Sequence, residues 1–283
     1  MKILVLGSEG QIGSHLSKYL IDKGHEVNGF DIVNDVQQDL TLIPNRKLDH
    51  DIRLADFVFF LAFDVGGSRY LKKYQKTYDF VNNNTLIMAN VFGLLKKYNK
   101  KFIFTSSQMS NMSHSVYGVS KRIGEFYTNS LEGVVVKLWN VYGIEKDYEK
   151  SHVITDFIRK GFEQGDFDMM TDGTEEREFL YAQDCCEALE VIMNSYNDLN
   201  HNEHIHITSF KSSTINEVSK IVTELFESIG KKITIRPSKD KDTVQLDKRN
   251  EADDFILDWW TPKTSLREGI KHVFEEMKTN YLE

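Results

Sequence analysis

A chain of 283 residues with 40% apolar side chains is long enough for one large α/β domain, or one and a half, around a substantial core. Its net charge of −8, from 35 basic and 43 acidic residues, argues against nucleic acid as a partner, so an anionic ligand has to be held by a few local Arg, Lys or backbone N–H groups. The adjacent Cys185 and Cys186 cannot staple distant segments and suit helix packing, no Cys/His spacing suits zinc, and no run reaches the ~18 apolar residues of a membrane span.

The first predicted element is a strand, Lys2 to Gly7 (KILVLG), which the chain enters directly with no signal-peptide pattern, so the expected compartment is the cytoplasm. Its unbroken apolar run suits burial on both faces of a parallel sheet. GSEGQIG then sets Gly7, Gly10 and Gly13 ahead of the periodic SHLSKYLIDKG, which reads as strand, glycine turn and helix. Such a turn lets backbone approach a pyrophosphate, and the helix start at Gln11 and Ile12 offers unpaired N–H groups and a positive dipole end. A second strand, His25 to Phe30, ends at Asp31. A carboxylate there accepts hydrogen bonds from an adenosine ribose and repels a 2′-phosphate, so the expected cofactor is NAD rather than NADP.

A short third strand is expected in VQQDL, leaving Asp39 and Leu40 at its end, with a plain polar turn as the alternative. Asp56 to Phe63 (DFVFFLAF) reads as the fourth buried strand and runs into Asp64-Val65-Gly66-Gly67-Ser68. The next helix carries Asn83-Asn84-Thr85 and Asn90. Asparagine is indifferent in helices, so the run invites a reason beyond propensity; a polar surface stretch is the alternative.

The segment from Phe102 to Lys121, FIFTSSQMSNMSHSVYGVSK, is central to the chemistry. Its apolar strand leads to Ser107, and Tyr117 and Lys121 lie one helical turn apart on the same face. A fixed ammonium favours the phenolate, and bringing a tyrosine from near ~10 to neutrality takes roughly 4 kcal/mol. With Ser107 hydrogen-bonding a substrate oxygen, the three suit removal of a hydroxyl proton. GVVVKLWNVYG follows as a strand ending in Asn140-Val141-Tyr142-Gly143, then a helix from about Ser151 in HVITDFIRKGFEQG. Arg177, in the run EERE, is either a bidentate phosphate ligand or a solvated charge. A helix from Asp184 to Tyr196, the strand HIHIT, a helix from Ile215 to Ile229 and the strand KITIRP complete the pattern.

With these motifs in view, the chain resembles an extended short-chain dehydrogenase/reductase of the nucleotide-sugar epimerase/dehydratase kind over nearly its whole length. The likeness rests on Gly7-x-x-Gly10-x-x-Gly13, Ser107 with Tyr117-x-x-x-Lys121, Asn140-Val141-Tyr142-Gly143, Gly173 with Arg177-x-Phe179-x-Tyr181-x-x-Asp184, and Trp260-x-Pro262-x-x-Ser265-Leu266-x-x-Gly269. It implies an α/β fold, a Rossmann-type doubly wound parallel sheet with a smaller C-terminal α/β substrate-binding domain. Residues 1–147 with about 179–209 would bind NAD, and about 148–178 with 210–283 the nucleotide sugar. It implies Ser107, Tyr117 and Lys121 as catalytic residues. Gly7, Gly10, Gln11, Ile12, Gly13, Asp31, Ile32, Asp39, Leu40, Leu61 and Ala62 would join Tyr117 and Lys121 in holding the cofactor. Val65, Gly66, Gly67, Ser68, Asn83, Asn140, Arg177 and Arg249 would meet the substrate with Ser107, Gln108 and Met109. The Gly66-Gly67 turn, the Asn83-Asn84-Thr85 run and the His152-Val153-Ile154 helix start are similar to GDP-sugar members, which makes a GDP-linked hexose or heptose the expected substrate. Family habit implies a homodimer through the Tyr117 helix and the helix before it. Ile144 replaces the proline that often follows Gly143, and the helix after Ser151 also lacks the family proline; both departures bear on loop geometry alone.

One departure bears on chemistry. Dehydratases of this kind carry Asp-Glu directly after the catalytic serine or threonine, and 3,5-epimerases carry Cys in the second place; here Gln108 and Met109 stand there. Neither moves a proton, whereas dehydration and epimerisation beside a ketone each need a second acid or base. Oxidation at C4 to a 4-keto sugar is therefore expected. A 4-epimerase, in which the ketone turns over and takes hydride back, fits the same residues. A non-catalytic NAD-sensing regulator is disfavoured by the retention of Tyr117 and Lys121. His114 is the nearest other titratable group and reads as an exposed loop histidine.

Overall fold

The computed structural model describes residues 1–246 and 250–282. β1 (Lys2–Leu6) leads through the glycine turn into α1 (Gln11–Asp22) and β2 (Glu26–Phe30). Next come α2 (Arg46–Leu54), β3 (Phe57–Phe60), α3 (Ser68–Tyr74), α4 (Tyr78–Tyr98) and β4 (Lys101–Ser107). α5 (Val116–Ser130), β5 (Val134–Leu138), β6 (Asn140–Tyr142), α6 (Val153–Glu163) and β7 (Phe167–Asp168) follow. The chain continues with β8 (Glu176–Tyr181), α7 (Ala182–Asn194), β9 (His204–Ile207) and β10 (Ser212–Thr214). It ends with α8 (Ile215–Ser228), β11 (Ile235–Arg236) and α9 (Leu266–Leu282).

The apolar strands assemble into a six-stranded sheet in the order β2-β1-β3-β4-β5-β9, parallel at every pairing. From β1 the chain moves first to one side and then to the other, so β1 and β3 flank a topological switch point, where α/β folds open a ligand crevice beyond the strand ends. Side-chain alternation loads both faces. Ile3 and Val5 meet Leu16 and Leu20 of α1 and Leu189 and Ile192 of α7. Leu4 and Leu6 meet Leu48 and Ile52 of α2 and Val91 and Leu95 of α4. A separate core joins α6, α8 and α9 through Phe157, Ile158, Val222, Phe226, Val273 and Phe274. Ile256 and Trp260, although far along the chain, pack into the first of these cores.

Three expected strands differ. VQQDL forms no strand: Val36–Gln38 is a single 3₁₀ turn whose cap, Asp35, accepts from the Gln37 N–H at 2.9 Å. An aspartate that bonds its own downstream backbone competes with strand pairing, so β2 is the sheet edge and DFVFFLAF supplies the third strand in sequence. GVVVKLWNVYG breaks at Trp139, with β5 in the main sheet and β6 pairing with β8 in a second sheet, β10-β8-β6. KITIRP keeps only the two residues of β11, which pair with β7. Among the described residues no helix is long and apolar enough to cross a membrane.

Candidate active site

The strand ends open on a cleft of about 800 Å³. Its walls gather Gly7, Gly10, Gln11, Ile12, Gly13, Asp31, Ile32, Asp39, Leu40, Leu61 and Ala62 from the expected cofactor set. Ser107, Tyr117 and Lys121 border it too, as do Val65, Gly66, Gly67, Ser68, Asn83, Gln108, Met109, Asn140 and Arg177. Arg249 lies outside the described residues.

The glycine turn is a matter of backbone contact. Gly7 has φ +86°, and a Cβ on Gly13 would stand 1.9 Å from the Gly7 carbonyl oxygen. Gly10 caps α1 without a side-chain bond, which leaves first-turn N–H groups open to an anion. Asp31 is held facing the turn: Oδ2 accepts from the Glu9 N–H and Oδ1 from the Val33 N–H, both at 3.0 Å. Each oxygen keeps a second lone pair for a ribose hydroxyl. An open helix start, a backbone that tolerates no Cβ and a fixed carboxylate together fit an NAD dinucleotide. Asp39 instead closes its own turn, accepting from the Thr41 N–H at 2.8 Å and the Thr41 hydroxyl at 2.7 Å.

Ser107 ends β4, and Ser115 starts α5, its hydroxyl accepting from the Gly118 N–H at 3.0 Å and donating to Gln75 at 3.1 Å. A Cβ on Gly118 would lie 2.1 Å from the Met109 carbonyl oxygen, so glycine lets α5 lie directly on the 3₁₀ turn Gln108–Asn111. Tyr117 thereby comes beside Ser107, whose hydroxyl is near enough to influence its acidity, and meets the Phe63 ring edge-on at 5.9 Å. Lys121 is buried; its ammonium donates to the Thr105 carbonyl at 2.7 Å and sits 3.9 Å from the Phe63 ring centroid.

These surroundings alter the expected acid/base balance. Burial pushes the Tyr117 phenol up to about 12, against a downward pull from the Ser107 hydroxyl. Desolvation drags Lys121 to about 7, against the opposing charge of Glu125. The expectation that Lys121 alone poises Tyr117 near neutrality is therefore corrected for the free protein: the low-dielectric site disfavours both charges. Glu125, one turn beyond Lys121, accepts from Ser106 Oγ at 2.5 Å and pairs with Lys137 at 3.5 Å.

Gln108, on the cleft wall, is engaged by distant chain: its Nε2 donates to Gln245 Oε1 at 3.1 Å, and its backbone carbonyl accepts from Asn250 Nδ2 at 2.7 Å. Met109 packs with Leu71, Phe80, Met112 and Val244. His114 is exposed and bonds the Val244 carbonyl at 3.1 Å. The Gly66-Gly67 turn is pressed against the chain before α6, with the Gly67 N–H donating to the Lys150 carbonyl at 2.8 Å. The asparagine run divides its work. Asn84 clamps the Asp64 backbone at 2.8 and 3.2 Å, Asn90 bonds the Leu40 carbonyl at 2.7 Å, and Asn83 reaches Asp64 Oδ2 at 3.4 Å. Arg177 donates to the Glu176 carbonyl at 2.7 Å and forms an ion pair with Asp242, so it is a half-buried, engaged guanidinium rather than a solvated one.

Two groups on the cleft wall went unread in the sequence. Asp64 Oδ1 accepts from the Tyr70 hydroxyl at 2.6 Å and from Lys150 at 3.2 Å. Glu145 holds His152, accepting from its backbone N–H at 2.8 Å and meeting its Nδ1 at 2.7 Å. Burial pulls the His152 imidazole down, but the Glu145 carboxylate overrides it and leaves the ring above its ordinary value. The partners lie apart in the chain and form no motif, and only the His152-Val153-Ile154 likeness pointed to this loop. Among the described residues no set of three or more His, Cys, Asp or Glu side chains is placed to hold a metal ion.

A parallel sheet with its switch point at a glycine turn, a fixed carboxylate after β2 and a Ser–Tyr–Lys group in one cleft define an NAD-dependent oxidoreductase of the extended short-chain class. Residues 3–208 match the NAD dependent epimerase/dehydratase family, and the chain belongs to it. It is similar to a putative UDP-glucose 4-epimerase of Methanocaldococcus jannaschii, 27% identical over 314 residues that cover 98% of this chain and 99% of the relative. GDP-L-fucose synthase of Sinorhizobium fredii is 26% identical, over 99% of this chain and 96% of its own. The solved UDP-glucose 4-epimerase of Thermotoga maritima has the same fold, with a TM-score of 0.80 at 23% identity over 100% of both chains. The protein is thus an NAD-dependent enzyme of the nucleotide-sugar epimerase/dehydratase type.

Proposed function

We propose that this enzyme oxidises C4 of a nucleotide-linked hexose or heptose to the 4-ketone. The observation that carries the reading is the placement of Tyr117 against Ser107 and Lys121, in a cleft where Gln108 is tied to Gln245 and Met109 is packed in apolar contacts. Tyr117, as the phenolate, takes the C4 hydroxyl proton and becomes the phenol, Ser107 holds the same oxygen, and the Lys121 charge stabilises the phenolate before the transfer. Bound NAD supplies the hydride acceptor. The glycine turn and Asp31 hold the dinucleotide, and Asn83, Asn140, Arg177 and the Val65–Ser68 turn hold the sugar nucleotide. We assign the cofactor unit to the two cores of the main sheet and the substrate unit to the α6/α8/α9 core, with Ile256 and Trp260 of the 210–283 segment packing on the cofactor side.

A GDP-linked sugar is supported by the Gly66-Gly67 turn, the Asn83 run and the 26% identical GDP-L-fucose synthase. A homodimer is supported by an exposed apolar stripe on α5, Val119, Ile123, Phe126 and Tyr127, beside Tyr78 and Val81 of α4. We place the enzyme in the cytoplasm. A second reading, a 4-epimerase, is favoured by the two similar proteins that bear that name and uses the same side chains. Incubation with a panel of GDP- and UDP-sugars, following reduced nicotinamide and product stereochemistry together, separates them. Persistent NADH with a ketone supports the dehydrogenase, and a new epimer without net NADH supports the 4-epimerase. Turnover of no nucleotide sugar overturns both.

A further inference from the structure

Strand β8 and the residue before it present Glu175, Arg177 and Phe179 to the cleft. The alternate side chains leave the other way, with Glu176 reaching Ser212 at 3.0 Å and Glu178 reaching Thr208 at 2.8 Å. If Arg177 meets the diphosphate, Glu175 stands about 7 Å further along the strand, on the nucleoside side. Glu175 is only 7% exposed. Its Oε1 accepts from Thr171 Oγ1 at 2.5 Å, and its Oε2 has no hydrogen-bond partner among the described residues. An oxygen of a buried carboxylate without a donor is costly, and such groups are normally completed by a partner. The neighbouring wall is apolar, built of Phe157, Met169 and Ile215, and suits the face of a flat ring.

Resting on the nucleotide-sugar reading, we propose that Glu175 selects the base of the substrate and that this base is guanine. Guanine places two adjacent donors, N1–H and the N2 amino group, where a carboxylate accepts both, with O6 beside them for a hydroxyl such as that of Thr171. Uracil presents an acceptor on either side of its single N–H, and adenine pairs one donor with an acceptor, so each sets a lone pair against the carboxylate. The last torsion of a glutamate side chain is broad, and its rotation off Thr171 turns both oxygens to the ligand.

The test is calorimetric titration of the NAD-loaded protein with GDP, IDP, UDP and ADP. Because bonds to a charged acceptor are strong and a site built for donors rejects ligands that lack them, GDP should bind at least ~100-fold more tightly than UDP or ADP, and IDP, without the N2 amino group, ~10-fold less tightly than GDP. Glu175→Gln should weaken GDP while leaving UDP nearly unchanged. Equal affinities for GDP and IDP, or an equal loss of GDP and UDP in the variant, which marks a ribose contact, would overturn the assignment. Tight UDP binding without GDP binding removes guanine while leaving the nucleotide-sugar reading in place; binding of none of the four removes both. The unsubstituted protein alone decides the base, whatever the folding of the variant.

Discussion

Tyr117 and Lys121 carry opposite burdens of one environment. Tyr117→Phe keeps the ring against Phe63 and removes the acidic hydroxyl, so NAD binding should persist while turnover falls by the ~10²–10⁴-fold of a lost general base; near-normal turnover would remove Tyr117 from that role. Lys121 is testable without substrate. Its folded pKa is depressed to about 7 from an ordinary 10.5, so between those values the unfolded chain binds a proton that the folded free protein does not. Stability from this residue therefore rises with pH across that window, and the cost of burying the ammonium is fully present below it. Urea unfolding of the cofactor-free protein from pH 7 to pH 9.5 should show this rise, and Lys121→Met should flatten it; an unchanged slope would place the ammonium in a more polar setting. His152 has the reverse sign. Glu145 raises it above its ordinary value. Gln108, a neutral amide, and Met109, a thioether, supply no base beside C3 or C5. Turnover in heavy water should accordingly give product with no enzyme-catalysed deuterium at C3 or C5 and no loss of the C6 oxygen. Deuterium entering faster with enzyme than without would show a second base, and His152→Asn against His114→Asn would tell which histidine supplies it.

At the scale of elements, the site depends on how closely α5 lies on the end of β4. The hydroxyl of Ser115 caps the helix, and the absent side chain at Gly118 allows the contact with Met109. Gly118→Ala overpacks it and should cost about 1–3 kcal/mol of stability together with turnover, as read from urea midpoints and initial rates; unchanged values for both would mean that the contact can relax freely. The strand-turn-helix that opens the chain, β4 ending at Ser107 and the Tyr117–Lys121 turn were legible because local patterning decides them: unbroken apolar runs make buried strands, and residues four apart share a helix face. VQQDL was misread because its polar residues satisfy their own backbone, and the break at Trp139 because the switch between two sheets is invisible to a periodicity of two. That Gln108 and Met109 are poor proton carriers is read from their side-chain chemistry alone, but their engagement, one with Gln245 and Asn250 and the other in apolar packing, is a product of distant chain.

For the whole molecule, the exposed stripe Val119, Ile123, Phe126 and Tyr127 along α5 is apolar surface of the kind that marks an interface. Light scattering after size exclusion should give a mass near twice 32.9 kDa, and Phe126→Glu should shift it toward the monomer; a monomeric unsubstituted protein would remove the stripe from that role. The sequence by itself determined the class of fold, the glycine turn, the acidic end of β2 and the Ser–Tyr–Lys trio, because each rests on backbone sterics or on neighbours within a turn or a strand. Tertiary structure alone decided the rest. It engaged Arg177 with Asp242, set Glu145 under His152, left one oxygen of Glu175 on the cleft wall without a partner among the described residues, and moved Tyr117 and Lys121 away from their ordinary acidities. Desolvation and ion pairing depend on which distant segments exclude water from a side chain, and that follows from the packing of the completed fold rather than from the order of residues along any one stretch.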